Sequence, residues 1–340
     1  MLYHHLTPEE RGLILELRNR GQFSSSASGS RSRDRAVPVW TEEDLVKGTI
    51  TKTISTVLRT TGCSWSLKSN CSMCGYFVDS RTSVDIVEQF RSVIDRAEDQ
   101  RFLKIYTSGS FLDPGEVPQE IQEEVLRMAT DRFDRVLIES RPEFIVPDRL
   151  RILQDIVDLE IAIGLESAND SVLLHSLNKG FTHGDYQKAA NILSEHEIPL
   201  RTYLILKPPF MTEGDAIRDV VSSIRAVEEV STCISVNPMN VQRFTLVEHL
   251  FNRGAYQPPS IWSLIEVLKT ETSARLMSSP SGGGTRRGIH NCGTCDKPML
   301  EKIRTFSLSQ NRADLEHTCT CRKEWEDRII LEDAIQAPLP

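Results

Sequence analysis

Apolar positions follow two alternating rhythms from residue 50 onward. Short β-like runs occupy residues 53–60, 103–108, 135–140, 160–166, 200–206 and 233–237, with branched and aromatic side chains inside and polar residues at their ends. Between them, apolar side chains recur at helical spacing: Val84, Val87, Phe90 and Ile94; Ile121, Val125 and Met128; Leu153, Ile156 and Val157; Tyr186, Ala190 and Leu193; Ile217, Val220, Val221 and Ile224. Pro118 and Pro147 suit first-turn positions, and Thr212 to Asp215 resembles a capping box. Six strands alternating with five helices predict right-handed crossovers and a parallel sheet, either doubly wound or curled into a barrel.

The flanks read differently. Thr7 and Pro8 predict the start of an amphipathic helix carrying Leu13, Ile14 and Leu17 and stopping at Gly21. Residues 24–30 read as a serine-rich linker, followed by the basic Arg31, Arg33 and Arg35. Beyond the sixth strand, residues 244–252 and 261–269 predict two helices around Pro258 and Pro259. Gly282, Gly283 and Gly284 mark a break. A phosphate cradle would set its glycines between a strand and a helix N-terminus, so a loop is expected there. The expected division is an N-terminal helix, linker and basic segment over 1–48, a β/α core over 49–240, and a helical, Cys-rich extension over 241–340.

Ligands of a parallel β/α sheet gather at the carboxyl ends of its strands. Polar residues concentrate there: Gly62 and Cys63; Ser108, Gly109 and Ser110; Glu139, Ser140 and Arg141; Gly164, Glu166 and Ser167; and Lys207 before two prolines. Chemistry-bearing residues thus face one end of the sheet.

The chain has eight cysteines, and its first ten residues hold two histidines, two glutamates and no long apolar run. Neither a signal peptide nor a membrane helix is predicted, a cytoplasmic location is expected, and reduced, metal-ligating thiols fit that setting. Cys63, Cys71 and Cys74 lie within twelve residues. Three thiolates leave a coordination position open, as a site for chemistry needs, whereas a structural zinc site is closed by four. The alternatives are a zinc knuckle completed from elsewhere or three unrelated core cysteines. Cys292, Cys295, Cys319 and Cys321 form two close pairs with zinc-site spacing, and His290 or His317 could replace one thiolate. A second iron–sulfur cluster is the alternative, and pinning the C-terminal segment is the expected role. Cys233 stands alone in an apolar run and reads as core. The net charge of −8 does not favour nucleic-acid binding, although residues 11–59 carry nine Lys/Arg against five Asp/Glu.

Cysteines placed after the first strand of a six-strand β/α chain resemble the radical S-adenosylmethionine (SAM) superfamily. Seven residues, not the superfamily's usual three, separate Cys63 from Cys71, and Met73 stands where an aromatic is usual. That spacing, with residues 59–65, 71–76, 107–113, 139–143 and 291–295, resembles one archaeal group, the radical SAM subunits of archaeosine synthase. The resemblance spans about residues 40 to 330.

It implies an α/β fold, a partial (β/α)6 barrel of the radical SAM type with a zinc-like C-terminal extension. It implies a [4Fe–4S] cluster on Cys63, Cys71 and Cys74, with SAM on the free iron. The backbone at Gly75 and Tyr76 would approach the adenine, and Ser108, Gly109 and Ser110 the methionine amino group. Glu139, Arg141, Glu166 and Ser167 are then candidates for the ribose and carboxylate. The implied reaction is a lyase step on tRNA, with no membrane involved. A partner subunit attaches lysine to a 7-deazaguanine nitrile in the D-arm, and this subunit cleaves a lysine C–N bond to leave archaeosine. No protein acid or base breaks an unactivated C–H bond, so a radical cofactor must carry that step. The competing readings are a radical SAM enzyme with a different tRNA or small-molecule substrate, and a non-catalytic iron–sulfur or zinc scaffold that docks tRNA.

Overall fold

Strand side chains alternate between two faces, and in this chain the faces differ sharply in chemistry. The computed structural model describes residues 5–27, 37–81 and 84–339. Its sheet has eight strands in chain order: β1 (Val39–Val46), β2 (Thr49–Val57), β3 (Phe102–Tyr106), β4 (Arg135–Glu139), β5 (Leu159–Glu166), β6 (Leu200–Leu206), β7 (Cys233–Pro238) and β8 (Arg275–Met277). β1 runs antiparallel to β2, and every later neighbour is parallel.

Helix α1 (Pro8–Ala27) precedes the sheet. The crossovers carry α2 (Ser64–Lys68) with α3 (Ile86–Ile94), then α4 (Gln119–Thr130), α5 (Pro147–Gln154), α6 (Asp170–His175) with α7 (His183–Glu195), α8 (Glu213–Val227), and α9 (Leu246–Phe251) with α10 (Ile261–Leu268). Two helices follow β8, α11 (Asp296–Ser309) and α12 (Cys321–Ile335).

The outward face is aliphatic. Leu103, Ile105, Val136, Ile138, Ile161, Ile163, Leu204 and Val236 are fully buried beneath the helices. The inward face is charged at the amino ends of the strands. Asp44 of β1 is fully buried and meets three cations: Lys104 of β3 at 2.8 Å, Arg201 of β6 at 3.0 Å and Arg275 of β8 at 2.6 Å. Glu160 adds a 2.8 Å pair with Arg201, and Lys104 also reaches Glu42 at 2.7 Å. β1 and β8 are the two edges of the sheet, so the Asp44–Arg275 contact requires the sheet to curl almost closed. Phe102, Leu137 and Ala162 pack in the same interior with Tyr106 and Tyr203. The fold is thus a partial barrel whose floor is sealed by ion pairs.

All six expected strands form. β1 and β8 go beyond them: β8 has only three residues, and β1 carries Glu42 and Asp44 on its lumen side, which hides its strand character. At the start of α1, Thr7 and Glu10 cap reciprocally, with Glu10 N–H donating to Thr7 Oγ1 at 3.2 Å and Thr7 N–H to Glu10 Oε2 at 2.8 Å. The helix does not stop at Gly21 but continues to Ala27, through the first serines of the expected linker. Gly21 is there for packing, since a Cβ would come within 2.8 Å of the Phe77 and Phe244 rings. The rest of the linker and the basic arginines lie outside the described residues. At Thr212 only half of the expected box forms, its hydroxyl accepting from Asp215 N–H at 3.0 Å. Among the described residues no helix is long and apolar enough to cross a membrane.

Asp44 is held well below the usual carboxylate range: its three cations overcome the opposing effect of burial. Removing one partner of a buried ion cluster costs about 3–5 kcal/mol. Asp44→Asn should therefore lower the unfolding free energy by about that amount in urea titrations at pH 7. Because the folded pKa is depressed, the contribution is present above the unfolded value of about 3.9 and fades as pH falls below it. The gap between variant and wild type should stay constant down to about pH 4 and narrow beneath that.

Candidate active site and metal centre

The thiol loop follows β2 and crosses the carboxyl end of the sheet. Cys63 precedes α2, and Leu67 N–H donates to its carbonyl at 3.1 Å. Asn70, left-handed at φ 69°, gives its amide to the carbonyls of Cys71 and Cys74, both at 3.1 Å. Asparagine tolerates that conformation better than most residues. The loop before α7 clamps it from the other side. Asn178 Nδ2 donates to Asn70 O at 2.7 Å, Trp65 Nε1 donates to Asn178 O at 2.8 Å, and Ser72 N–H donates to Leu177 O at 2.9 Å. Arg11 of α1 donates to both Asn178 Oδ1 and Leu174 O, so the N-terminal helix straps this region.

Burial raises the pKa of Cys63 and Cys71 and pushes Cys74 up to about 12. Lys179 and Arg141 act in the opposite direction on Cys71. These buried thiols are therefore neutral until a cation shares their charge, the behaviour of a metal-binding set. Their spacing separates two kinds of metal group. Among the described residues, the group of potential ligands whose atoms all lie within 4.8 Å of one another is Cys292, Cys295, Cys319 and Cys321. Cys63, Cys71 and Cys74 do not converge so tightly. A single tetrahedral zinc would draw its sulfurs to about 3.8 Å, given Zn–S bonds of about 2.3 Å. Wider spacing fits a cluster in which each thiolate holds a different iron.

The other predicted residues divide into those that line the lumen and those that do not. Gly109 lies directly against the first thiol: a Cβ there would sit 2.5 Å from Cys63 Cβ. The Gly109 and Ser110 amides donate to Glu116 at 3.0 and 2.7 Å, and Thr60 donates its hydroxyl to the same carboxylate at 2.6 Å. Those amides are thus already committed, and Ser110 is buried with its hydroxyl accepting from Arg141 N–H at 2.9 Å and its carbonyl from Asp113 N–H at 3.1 Å. Ser108 Oγ accepts from Ser80 at 3.2 Å. Glu139 accepts from Tyr203 inside the lumen, and burial pushes its pKa up to about 8. Glu166, at φ 73° beside a register shift in β5, accepts from Lys179 Nζ at 2.8 Å. Burial opposes the Lys179 charge, but Glu166 and Cys71 outweigh it and raise its pKa.

Tyr76 exposes its ring at the mouth, while burial pushes its hydroxyl up to about 12 near Cys74, Glu139 and Gln242. Gly75 N–H donates to Gln242 Oε1 at 2.6 Å. Arg141 is buried between the Trp65 and Phe181 rings, donating to Glu143 at 2.6 Å and Lys179 O at 3.1 Å. Ser167 is not brought to the lumen, since its hydroxyl donates to Asp219 of α8 at 3.0 Å. Lys207 likewise pairs with Glu213 at 2.5 Å behind the sheet. Glu116 and Lys179 escaped the sequence reading: one precedes a helix rich in acids, the other sits in an ordinary loop.

The second centre closes with four sulfurs. Cys292 lies 3.7 Å from Cys295 and 3.8 Å from Cys319, and Cys295 lies 3.5 Å from Cys321. These separations match the tetrahedral edge and exceed a disulfide bond of about 2.05 Å. N–H groups of Cys295 and then Thr294 lower the Cys292 thiol to about 6, while burial pushes Cys321 up to about 12. The histidine alternates are not needed: His290 Nδ1 pairs with Gly288 O at 2.8 Å, and the His317 ring faces Trp262. The centre joins the turn before α11 to the start of α12. That helix is fixed further by Glu332, which accepts from Glu213 N–H at 2.6 Å.

No family model matches the chain. The archaeosine synthase subunit beta of Methanosarcina acetivorans is 36% identical over 94% of this chain and 96% of its own length. That of Thermococcus kodakarensis is 35% identical over 87% and 97%. Among solved structures, a queuine lyase from Clostridium spiroforme bound to SAM and queuine aligns over 71% of this chain and 94% of its own, at TM-score 0.46 and 18% identity. An archaeal Elp3 from Methanocaldococcus infernus aligns over 59% and 54%, at TM-score 0.45 and 14% identity.

Two outcomes are expected. Metal analysis of the full-length protein should find about one zinc per chain, and Cys292→Ser should lose it while Cys63→Ala retains it. Gly109→Ala should cut the iron and sulfide retained after anaerobic reconstitution by at least half, because the new methyl displaces Cys63.

Proposed function

The chain belongs to the family of archaeosine synthase beta subunits, and on that premise we propose that it is the radical SAM lyase of archaeosine synthesis. In this reading Cys63, Cys71 and Cys74 would hold a [4Fe–4S] cluster, and the strand-end residues around them would hold SAM. The substrate is a tRNA whose D-arm 7-deazaguanine carries lysine from the partner subunit. The carrying observation is the wide three-thiol set at the mouth of a polar lumen, facing Lys179, Glu166 and Glu139. When bound, the cluster and SAM supply the one-electron chemistry that breaks an unactivated C–H bond and so allows the lysine C–N bond to cleave.

The protein's own groups bind, orient and enclose. Gly109 lets the β3 turn close onto Cys63, and Glu116 fixes that turn through two amides. Lys179 and Arg141 set a positive field at Cys71 that favours thiolate and an anionic cofactor carboxylate. In this reading Glu139 and Glu166, with the Ser108 hydroxyl, would receive ribose and amino functions, and Ser110 acts by holding the Arg141 backbone. Gly75 and Tyr76 border the mouth on the adenine side. Arg141 acts by field and packing, and Ser167 by holding α8. The ion-paired floor closes the far end, limiting water around a reactive intermediate. The four-sulfur centre is proposed as structural zinc.

The test is 5′-deoxyadenosine formation from SAM with dithionite after anaerobic reconstitution. Wild type should form it, and Cys71→Ala should fall at least a hundredfold. Equal cleavage by both, or none by either, would remove the assignment. Archaeosine formed from lysine-bearing tRNA by wild type alone would then establish the substrate.

A further inference from the structure

The glycine break of residues 282–284 has a defined place in the fold that its sequence did not reveal. It follows β8 and returns to the mouth of the barrel. The loop is braced by its own hydrogen bonds: Thr285 donates to Gly282 O through N–H at 3.2 Å and Oγ1 at 2.7 Å, and Gly284 N–H donates to Ile289 O at 2.8 Å. It is clipped to the rim by Val241 N–H donating to Arg287 O at 2.8 Å and by Arg287 Nε donating to Val241 O at 2.9 Å. The rim residue next along, Gln242, is the one that accepts from Gly75 of the thiol loop.

This brings a set of arginines to one side of the mouth. Arg286 and Arg287 lie over the Phe251 ring at 5.4 and 5.8 Å, and Arg243 lies over Phe244 at 5.2 Å. Arg287 is neutralised by Glu248 at 2.7 Å, whereas Arg243 and Arg286 are exposed and have no carboxylate within ion-pair distance among the described residues. Arg253 extends the patch, and Arg20 of α1 lies beside it, paired with Glu16. His249 between them has its pKa lowered by burial, then by the charges of Arg253 and Arg20. Such a local positive field stands out on a chain of net charge −8.

We infer that Arg243, with Arg286 on the braced glycine loop, forms a phosphate-gripping surface that docks the RNA substrate beside the mouth. The inference rests on the proposed function for the identity of the RNA and on charge and placement for the surface. Unpaired guanidinium groups match phosphate oxygens bidentately, and stacking on aromatic rings fixes their planes without using their outer donors. The bracing holds Arg286 at a set position relative to Gly75 and Tyr76. A strand gripped there would present a nucleotide to the lumen, as base-modifying enzymes must. An acidic protein partner would also be attracted to arginines, but the grip on the substrate is what adjacency to the mouth favours.

The test is binding of an unmodified tRNA transcript to full-length protein by filter retention across a salt series. Each phosphate contact adds about 0.7–0.9 to the slope of log K against log salt. Arg243→Gln with Arg286→Gln should therefore weaken binding about tenfold near 0.1 M salt and make the slope shallower by about 1.4 to 1.8. The matching pair of lysine substitutions should keep most of the slope and show that the surface is folded. Arg304→Gln, at the opposite end of the barrel near Glu43 and Ile50, should leave affinity unchanged. Wild-type affinity and slope in the glutamine pair would overturn the inference, as would loss of partner-subunit association with RNA binding intact. A wild type that binds no tRNA would overturn it together with the proposed substrate, while SAM cleavage would still test the cluster separately.

Discussion

Asp44 is the residue on which the curl of the sheet depends. It sits on the one antiparallel strand, yet its carboxylate is shared by cations from β3, β6 and β8. A buried carboxylate is costly unless its partners surround it, and they surround it only if the two edges of the sheet approach. The ion cluster thus ties edge to edge where no backbone ladder does. It also differentiates the lumen along its axis, with a neutralised lattice at the floor and titratable groups and thiols at the mouth.

The mouth inherits its order from that scaffold but is fixed locally. Glu116 gathers Gly109, Ser110 and Thr60, while Asn70 and Asn178 knit the thiol loop to the segment before α7. The two cysteine groups differ in geometry. Among the described residues, Cys292, Cys295, Cys319 and Cys321 converge within 4.8 Å of one another, as the ligands of one tetrahedral ion would, whereas Cys63, Cys71 and Cys74 do not.

Much of this was legible in the chain because it rests on periodicity and on residue types with narrow uses. The six central strands, the helices between them and both thiol groups all carry local signals. What escaped depends on distant partners. β1 reads as loop because Glu42 and Asp44 look solvent-facing until Lys104, Arg201 and Arg275 are known to meet them. Gly21 reads as a stop because the rings it admits belong to residues 77 and 244. Ser167 and Ser110 both follow strands, yet one hydroxyl bonds to Asp219 of α8 and the other to the Arg141 amide, partners that are remote in sequence. The arginines of the glycine loop are ordinary until the return of that loop to the rim sets them beside the entrance.

The knitting of the thiol loop also sets how a distant change is felt there. Trp65, Asn70 and Ser72 bond to the segment at residues 177–178, and Arg11 of α1 bonds to the same segment. A substitution that loosens α1 is therefore transmitted to the three thiols through two hydrogen-bonded steps, so the N-terminal helix acts as a mechanical brace on a centre it never touches.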